Sequence, residues 1–577
     1  MPDKKPNIIL FITDDQGYGD LGCTGNPWLK TPHIDAFSEE AVRFPDFHVS
    51  PLCTPTRGAL LTGRRPLRNG AWGVCRGRSL LNRDETTMAD VFRHNGYRTG
   101  LFGKWHLGDN YPFRPFDRGF EKVIAHKGGG VGQTPDAWMN NYFDDTYFHN
   151  GEAVKHDGYC TDIWFDEAMR FIEECGDAPF FTMLSTNAPH DPYLVDEKYT
   201  APYLGIDEIP FPAFYGMIAN LDANFARLRR FLQEKNIEDN TILIYMTDNG
   251  SSGACNMDEQ GFAIDGYNAG MRGKKGSYYE GGHRVPFFIR WPRGGIAGGR
   301  DVDEMALHVD VLPTFVELCG LDLPPETRPF DGTSLAALMR GEVERLPGDR
   351  VHIAQMDMRS RETIEKWHSA VLTRDWRLVR GEELYDIKKD PAQKNNVAAE
   401  YPEVVERLRQ AHEEWWSEVE PTIAPYNRIV LGSDAENPTR LDAFDVMGDT
   451  AYVQSLVARA AHTSGLWRVS VDRPGRYRFG LRRWPKERDL PIDGDISPEE
   501  MERLIINWPG NKSQTIDPKK ARVRIFDQEK TTDIDASQKE ARIEIDIDQS
   551  GESDLEAWFI DADGQEQGVY YLYIERL

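Results

Sequence analysis

Four short apolar segments, each followed directly by ionisable or polar residues, constrain the fold of this 577-residue chain more than any other feature. They span residues 7–12, 97–103, 180–185 and 241–246. Amphipathic stretches separate them, which is the pattern of an α/β sheet with helices on both faces. Because ligands of open parallel sheets bind beyond the carboxyl ends of the strands, we expect the residues that follow the four segments to share one site.

Oxygen-bearing side chains follow the first and the fourth segment. Asp14 and Asp15 come after the first, and Asp248 and Asn249 come after the fourth. Two adjacent carboxylates after a strand usually form a solvated turn. Three carboxylates and one amide from two equivalent strand ends, however, suit a hard divalent cation better than zinc. We therefore predict a metal site, with Ca²⁺ favoured because it accepts crowded protein oxygens and Mg²⁺ as the alternative.

Basic side chains follow the second and the third segment. Lys104 and His106 come after the second, and His190 comes after the third. Taken singly, each is most simply a solvated loop residue. They become candidates for binding an anion and for proton transfer only if the strand ends meet.

A cysteine motif lies between the first two segments. It reads Cys53-Thr54-Pro55-Thr56-Arg57 and continues into small residues that favour the start of a helix. By itself, this five-residue pattern is most simply a cysteine in a proline-containing loop before a helix. Its significance depends on the other motifs.

Together, six sequence blocks resemble those of the type I sulfatases of the alkaline phosphatase superfamily. They are Asp14-Asp15, the cysteine motif, and residues 103–108, 188–190, 248–250 and 273–282. Their order and rough spacing agree with the family over residues 6 to about 420. Alignment through Glu280-Gly281-Gly282 places the family's lysine on Lys275, and Lys274 is an additional residue, so a shift of one position stays open.

The resemblance implies that Cys53 is oxidised to formylglycine by a separate formylglycine-generating enzyme. The hydrated aldehyde would attack the sulfur of a sulfate ester with one hydroxyl, and the enzyme would pass through a sulfated formylglycine. Arg57 would hold the hydrate. His106 would take the proton of the second hydroxyl, which expels sulfate and restores the aldehyde.

The same resemblance implies roles for the remaining site residues. Lys104 and Lys275 would bind sulfate oxygens as point charges. His190, together with Lys275, would protonate the departing oxygen. The metal would polarise the sulfate and lower the pKa of a hydroxyl of the hydrate.

The pattern after the last of these motifs predicts further domains. Residues 1–345 are predicted to form the catalytic α/β domain, in which a mostly parallel mixed sheet is sandwiched by helices. Residues 346–427 are predicted to form a small α+β subdomain, with strands in 370–379 and 383–387 and a helix from 401 to about 419. Residues 428–577 are predicted to form a β-rich, sandwich-like domain with one helix at 497–506. For this last domain a packing or oligomerisation role is slightly favoured over a carbohydrate-binding or substrate-cleft role.

Composition limits the partners of the chain. The net charge of −26 argues against nucleic acid, because phosphate binding needs clustered lysine and arginine. No apolar run approaches the ~20 residues that cross a bilayer. The first residues carry no secretion signal, so the sequence leaves two compartments open: the cytoplasm, or the periplasm or exterior after removal of a signal peptide. An oligomer is left open as well.

The leading functional hypothesis is hydrolysis of an organic sulfate ester, either a sulfated carbohydrate or a smaller sulfate ester. The closest alternative is a phosphonate monoester or phosphodiester hydrolase of the same superfamily, which would share the metal ligands and the formylglycine. A non-catalytic binding protein on the same scaffold is the third hypothesis. The glycine-rich residues 126–132 lack the pattern of a phosphate-binding loop and are expected to wall the pocket.

Overall fold

The computed structural model describes residues 4–355, 364–505 and 511–577. The first twelve strands are β1 (Asn7–Thr13), β2 (Val42–Arg43), β3 (Phe47–His48), β4 (Arg98–Lys104), β5 (Lys122–His126), β6 (Thr146–His149), β7 (Glu152–Lys155), β8 (Phe180–Ser185), β9 (Thr241–Thr247), β10 (Phe287–Arg290), β11 (Arg300–Asp301) and β12 (Ala306–Leu307). Ten of them form a mixed sheet with the strand order β11-β2-β10-β9-β1-β8-β4-β5-β6-β7. The other two, β3 and β12, pair with each other.

The four apolar segments of the sequence are the four adjacent central strands of this sheet. In the order β9, β1, β8 and β4, all three neighbouring pairs are parallel. Their carboxyl ends therefore lie side by side at one edge of the sheet, as the sequence predicts. Every residue of β1 is buried, which explains why residues 8–12 form a continuous apolar run rather than an alternating pattern.

Helices cover both faces of the sheet. Ile8, Leu10 and Ile12 of β1 belong to one hydrophobic core, whereas Ile9 and Phe11 belong to another. This division follows from the period of two along a strand. The helices of this part are α1 (Pro32–Glu40), α2 (Cys53–Thr62), α3 (Pro66–Asn69), α4 (Met88–His94), α5 (Cys160–Cys175), α6 (Glu197–Thr200), α7 (Pro212–Glu234), α8 (Glu280–His283), α9 (Val311–Cys319) and α10 (Ala336–Arg340). The predicted fold class is confirmed.

A four-stranded antiparallel sheet follows, together with one long helix. Its strands are β13 (His352–Gln355), β14 (Ser369–Leu372), β15 (Trp376–Val379) and β16 (Glu383–Asp386), and the helix is α11 (Pro402–Ile423). The segment predicted as strand at 370–379 is thus two paired strands, and β13 has no counterpart in the prediction. Leu408 and Trp416 of α11 share a core with Val371 and Leu378 of the sheet.

The described residues between 429 and 576 form two further sheets. The seven-stranded one comprises β17 (Ile429–Leu431), β19 (Met447–Asp449), β20 (Ser464–Val471), β22 (Lys520–Ile525), β23 (Gln528–Asp533), β25 (Gly551–Ile560) and β26 (Glu566–Gly568). The four-stranded one comprises β18 (Thr439–Asp442), β21 (Gly475–Arg482), β24 (Ala541–Ile547) and β27 (Tyr571–Arg576). Two helices, α12 (Gln454–Ala458) and α13 (Pro498–Arg503), accompany them.

Side chains from both sheets form one hydrophobic core, which includes Val469 of β20 and Phe479 of β21. Two sheets that pack face to face on a common core form a β-sandwich. The pairs are antiparallel except for β17 with β20. The helix predicted at 497–506 ends at Arg503, and residue 506 lies outside the described residues. The domain boundaries at 345 and 427 stay a prediction. No helix among the described residues is long and apolar enough to cross a membrane.

Candidate active site

The four predicted metal ligands lie together, because β1 and β9 are neighbouring parallel strands. Asp14, Asp15, Asp248 and Asn249 are all fully buried. The backbone N–H of Asp15 donates to Asp248 Oδ1 at 3.1 Å, and Asn249 Nδ2 donates to Asp15 Oδ1 at 2.9 Å. Asp15 adopts a φ of 66°, in the left-handed region that aspartate and asparagine tolerate better than most residues. The turn after β1 thereby directs two successive carboxylates into one site.

Two oxygens of this group point to a bound cation. Asp14 Oδ1 and Asn249 Oδ1 are buried and find no hydrogen-bond donor among the described residues. Both atoms are acceptors, and leaving an acceptor buried without a partner costs about 1–3 kcal/mol. A hard cation satisfies such oxygens, and an all-oxygen donor set is the kind that Ca²⁺ and Mg²⁺ prefer. The residues present therefore fit the cation that the sequence predicts.

Each of the three carboxylates is also paired with its own cationic side chain. The pairs are Lys104 Nζ with Asp14 Oδ2 at 2.7 Å, Lys275 Nζ with Asp15 Oδ2 at 2.6 Å, and Arg57 Nη2 with Asp248 Oδ2 at 2.8 Å. The structure thus places Lys275 in the site, whereas the Nζ of Lys274 lies 3.4 Å from the carbonyl of Cys255. Three carboxyl groups and three cationic side chains thus lie together, and a divalent cation and an anionic substrate would bring charges of opposite sign to this site.

The pKa values of the two carboxyl groups after β1 are shifted in opposite directions. Burial raises the pKa of Asp14 well above its ordinary value, and the nearby Lys104 opposes this only in part. Burial acts on Asp15 as well, but Lys275 and His190 outweigh it, so the pKa of Asp15 is lowered. Neighbouring titratable groups whose pKa values are shifted in opposite directions are typical of catalytic sites.

Residue 53 lies at the amino-terminal end of α2, whose ten residues are all buried. Its Sγ lies within 4.8 Å of one carboxylate oxygen of each of Asp14 and Asp248. Backbone N–H groups at a helix start favour a negatively charged group. Arg57, one turn along α2, donates to Lys104 O at 3.2 Å and to Ser185 Oγ at 2.5 Å, so it joins the helix to the ends of β4 and β8.

One ring nitrogen of His106 faces residue 53. Its Nδ1 lies 3.3 Å from Cys53 Sγ, and its Nε2 lies 2.8 Å from Val74 O. A carbonyl only accepts, so Nε2 carries the proton and the lone pair of Nδ1 faces residue 53. Burial, and then the charge of Lys104, hold the pKa of His106 well below its ordinary value. The imidazole is therefore neutral near pH 7.

His190 and Lys275 form the accessible side of the site. His190 Nε2 lies 3.6 Å from Asp15 Oδ2, and its Nδ1 donates to the carbonyl of Asp191 at 2.6 Å. The side chains of His190 and Lys275 are 13% and 21% exposed, whereas those of Arg57 and Lys104 are fully buried. Within this group of residues, His190 and Lys275 are therefore the ones that solvent reaches.

Sequence reasoning missed the parts of the site that contain no catalytic motif. Val74 acts through its carbonyl, which any residue supplies, so no side-chain signal marks it. The glycine-rich loop was expected only to wall the pocket, but Gly129 packs against His106 itself: a Cβ at this position would lie 2.3 Å from His106 Cε1.

Gly129→Ala is therefore expected to lower kcat by about 10-fold or more, because the added methyl group displaces the ring of His106. Gly130→Ala is the matched control. A Cβ at Gly130 would lie 3.5 Å from Gln133 Nε2 and 3.7 Å from His190 Cε1, both ordinary van der Waals distances, so this variant should leave His106 in place. Steady-state kinetics of the two variants tests the contact, and equal activities would contradict it.

A second cluster of potential ligands, formed by His48, Glu280 and His283, lies buried near the site. His48 Nδ1 is 3.0 Å from His283 Nδ1, and His283 Nε2 donates to a backbone carbonyl at 3.0 Å. Arg377 donates to Glu280 at 2.6 Å and lies 3.2 Å from His48 Nε2. The guanidinium supplies the positive charge that a metal would bring, so we interpret the cluster as an ion network. We therefore interpret His283 as a structural member of this network.

Comparison with known proteins agrees with this geometry. The sulfatase family model matches residues 6–321, and the model of the C-terminal part of N-sulphoglucosamine sulphohydrolase matches residues 273–417. Human N-acetylgalactosamine-6-sulfatase is 30% identical over 372 residues, which cover 60% of this chain and 68% of that protein. The N-acetylgalactosamine-6-O-sulfatase of Bacteroides thetaiotaomicron is 30% identical over 498 residues, covering 70% of this chain and 92% of that protein.

Among solved structures, Ps i-CgsB in complex with k-i-k-neocarrahexaose superimposes with a TM-score of 0.62. It is 27% identical, and the match covers 71% of this chain and 92% of that one. The family model spans more than half of the chain and includes every predicted site residue. The chain belongs to the sulfatase family, whose members are sulfuric ester hydrolases.

Proposed function

We propose that this protein hydrolyses sulfate esters of carbohydrates, with residue 53 acting as formylglycine. One observation carries the proposal: residue 53 lies 3.3 Å from a neutral His106 and within 4.8 Å of the Asp14 and Asp248 carboxylates, among three buried or half-buried cations. A cysteine needs none of these neighbours for packing. A hydrated aldehyde that must be activated, sulfated and regenerated needs all of them.

The first half of the reaction transfers the sulfo group. One hydroxyl of hydrated residue 53 gives its proton to one of the nearby Asp14 and Asp248 carboxylates, and its oxygen forms a bond to sulfur as the bond between sulfur and the substrate oxygen breaks. Lys104 and Lys275 neutralise the sulfate oxygens, and Arg57 holds the hydrate. His190, assisted by Lys275, donates a proton to the departing oxygen, so the product leaves as an alcohol.

The second half restores the enzyme. His106 Nδ1 accepts the proton of the remaining hydroxyl on residue 53, the C=O bond re-forms, and the bond from this carbon to the sulfate oxygen breaks. Sulfate leaves with both electrons of that bond, and water then hydrates the aldehyde again. The low pKa of His106 keeps its Nδ1 free for this step.

We propose that Asp14, Asp15, Asp248 and Asn249 hold Ca²⁺ in the working enzyme. The bound cation supplies positive charge that polarises the sulfate and lowers the pKa of the attacking hydroxyl. The oxygens Asp14 Oδ1 and Asn249 Oδ1 support this assignment, because they are buried acceptors for which the described part of the chain offers no donor.

Two comparisons support a carbohydrate substrate. Both sulfatases compared in sequence are named for N-acetylgalactosamine 6-sulfate, and the structure compared was solved with an oligosaccharide. The phosphonate and phosphodiester alternative would use the same metal ligands and nucleophile, so the chemistry of the substrate decides between them.

The test uses protein co-expressed with a formylglycine-generating enzyme. The mass of the peptide that contains residue 53 should show an aldehyde. An aryl sulfate should be turned over with a higher kcat/KM than the matching aryl phosphonate or phosphodiester, and 6-sulfated N-acetylgalactosamine should be desulfated in a screen of sulfated sugars. A clear preference for the phosphonate would contradict the proposal.

A further inference from the structure

Two loops hold the ring of His106. The first, residues 73–77, contains Val74, whose carbonyl accepts the hydrogen bond from Nε2 at 2.8 Å. The second, residues 128–133, contains Gly129, which packs so closely on the ring that no side chain fits. Because His106 itself has a φ of 59°, its backbone is in a sparsely populated region that the surroundings must maintain. The position of Nδ1 therefore depends on what holds the two loops.

The C-terminal β-rich region holds the first loop. Arg76 N–H donates to the carbonyl of Phe444 at 3.0 Å. The ring of Phe444 is buried and lies 6.2 Å from the ring of His106, centroid to centroid. Phe444 is itself fixed, since its N–H donates to Asp442 Oδ1 at 3.1 Å. The support of His106 thus includes a side chain more than 330 residues away in sequence.

The same region holds the second loop. Gly129 N–H donates to Gln133 Oε1 at 2.7 Å. Gln133 forms a β-bridge with Val453, and its carbonyl accepts from Gln454 Nε2 at 3.2 Å. Thr134 N–H donates to the carbonyl of Tyr452 at 3.1 Å. Both loops around His106 are therefore anchored on one stretch, residues 442–454.

We infer that residues 442–454 position His106 for the release of sulfate, and that Phe444 is the main positioning residue. The inference rests on the proposed function, which makes His106 the base of the second half-reaction. It assigns the C-terminal region a role inside the catalytic cycle, beyond the packing or sugar-binding roles that its sequence suggests.

This role predicts a specific kinetic signature. A displaced His106 slows loss of sulfate from residue 53 but leaves sulfo transfer intact, because that first step uses other residues. When the second step limits turnover, kcat and KM fall together and kcat/KM is preserved. The sulfated form of residue 53 then accumulates during turnover.

The experiment compares Phe444→Leu and Phe444→Ala with the control Phe559→Leu. Phe559 is a buried phenylalanine of β25, in the seven-stranded sheet of the same region. The probe is an aryl sulfate, followed by rapid-quench kinetics and by the mass of the residue-53 peptide. We expect kcat to fall by about 10-fold in Phe444→Ala and less in Phe444→Leu, with a burst of one equivalent of phenol and a peptide heavier by one sulfo group. Phe559→Leu should show neither change, and Gly129→Ala should show both.

Two results would overturn the inference while leaving the proposed function intact. One is a fall in kcat/KM in the Phe444 variants without accumulation of sulfated residue 53, which would mean that the region shapes substrate binding. The other is unchanged kcat in folded Phe444→Ala. Wild-type protein that carries the aldehyde but turns over no sulfate ester would instead contradict the proposed function itself.

Discussion

Cys53→Ala is expected to abolish turnover, with a loss of about 10⁴-fold or more, while the protein stays folded. The physical reason is that alanine offers no atom that can be oxidised to an aldehyde, so no diol forms between His106 and the carboxylates. Loss of a covalent nucleophile commonly removes most of an enzyme's rate enhancement. Little stability should be lost, because the Sγ is a small group at a helix start and Ala is the best helix former.

Cys160→Ala is the matched control for this variant. Cys160 is also buried and is also the first residue of a helix, α5, but it lies outside the site. Turnover of an aryl sulfate, thermal unfolding and the mass of the residue-53 peptide should be measured for both variants. Activity of Cys53→Ala close to that of the parent would contradict the assignment of residue 53 as the nucleophile.

Asp15→Asn is expected to lower activity by about 10³-fold and to remove stabilisation by calcium. Asparagine tolerates the left-handed φ of 66° at this position, so the turn after β1 should persist. The substitution removes one negative charge from the proposed metal site and from the ion pair with Lys275. Since Lys275 is partly exposed, the unpaired ammonium can be solvated, and the fold should not collapse.

The measurement is the unfolding temperature of the protein over a calcium titration, together with kcat. A ligand that binds only the folded protein stabilises it by about 2.7 kcal/mol at 100 times its Kd, so the parent should show a clear shift. Asp222→Asn is the control. Asp222 is a buried carboxylate that caps the start of α1 through Oδ1, which an amide oxygen can replace. The same calcium shift in Asp15→Asn and in the parent would place the metal elsewhere.

The central sheet and most of the candidate site were predictable because their signals are local. A fully buried parallel strand is mostly apolar on both faces, and β1, β8 and β9 are fully buried and carry only a few small polar residues. The residues after such strands are easy to identify as site residues because parallel strands end at a common edge. The C-terminal sheets were predicted less completely: β25, their longest strand, was not anticipated, although its residues alternate between buried and less buried at its start.

The sequence by itself determined which residues belong to the candidate site: those at the strand ends, the cysteine at a helix start, and the charged residues that surround it. Only the tertiary structure decided how they are held. It selected Lys275 over Lys274, oriented the imidazole of His106 through the carbonyl of Val74, and brought Phe444 against it. The physical reason is that backbone carbonyls and close packing between distant segments depend on three-dimensional position, whereas strand and motif patterns depend on neighbours along the chain.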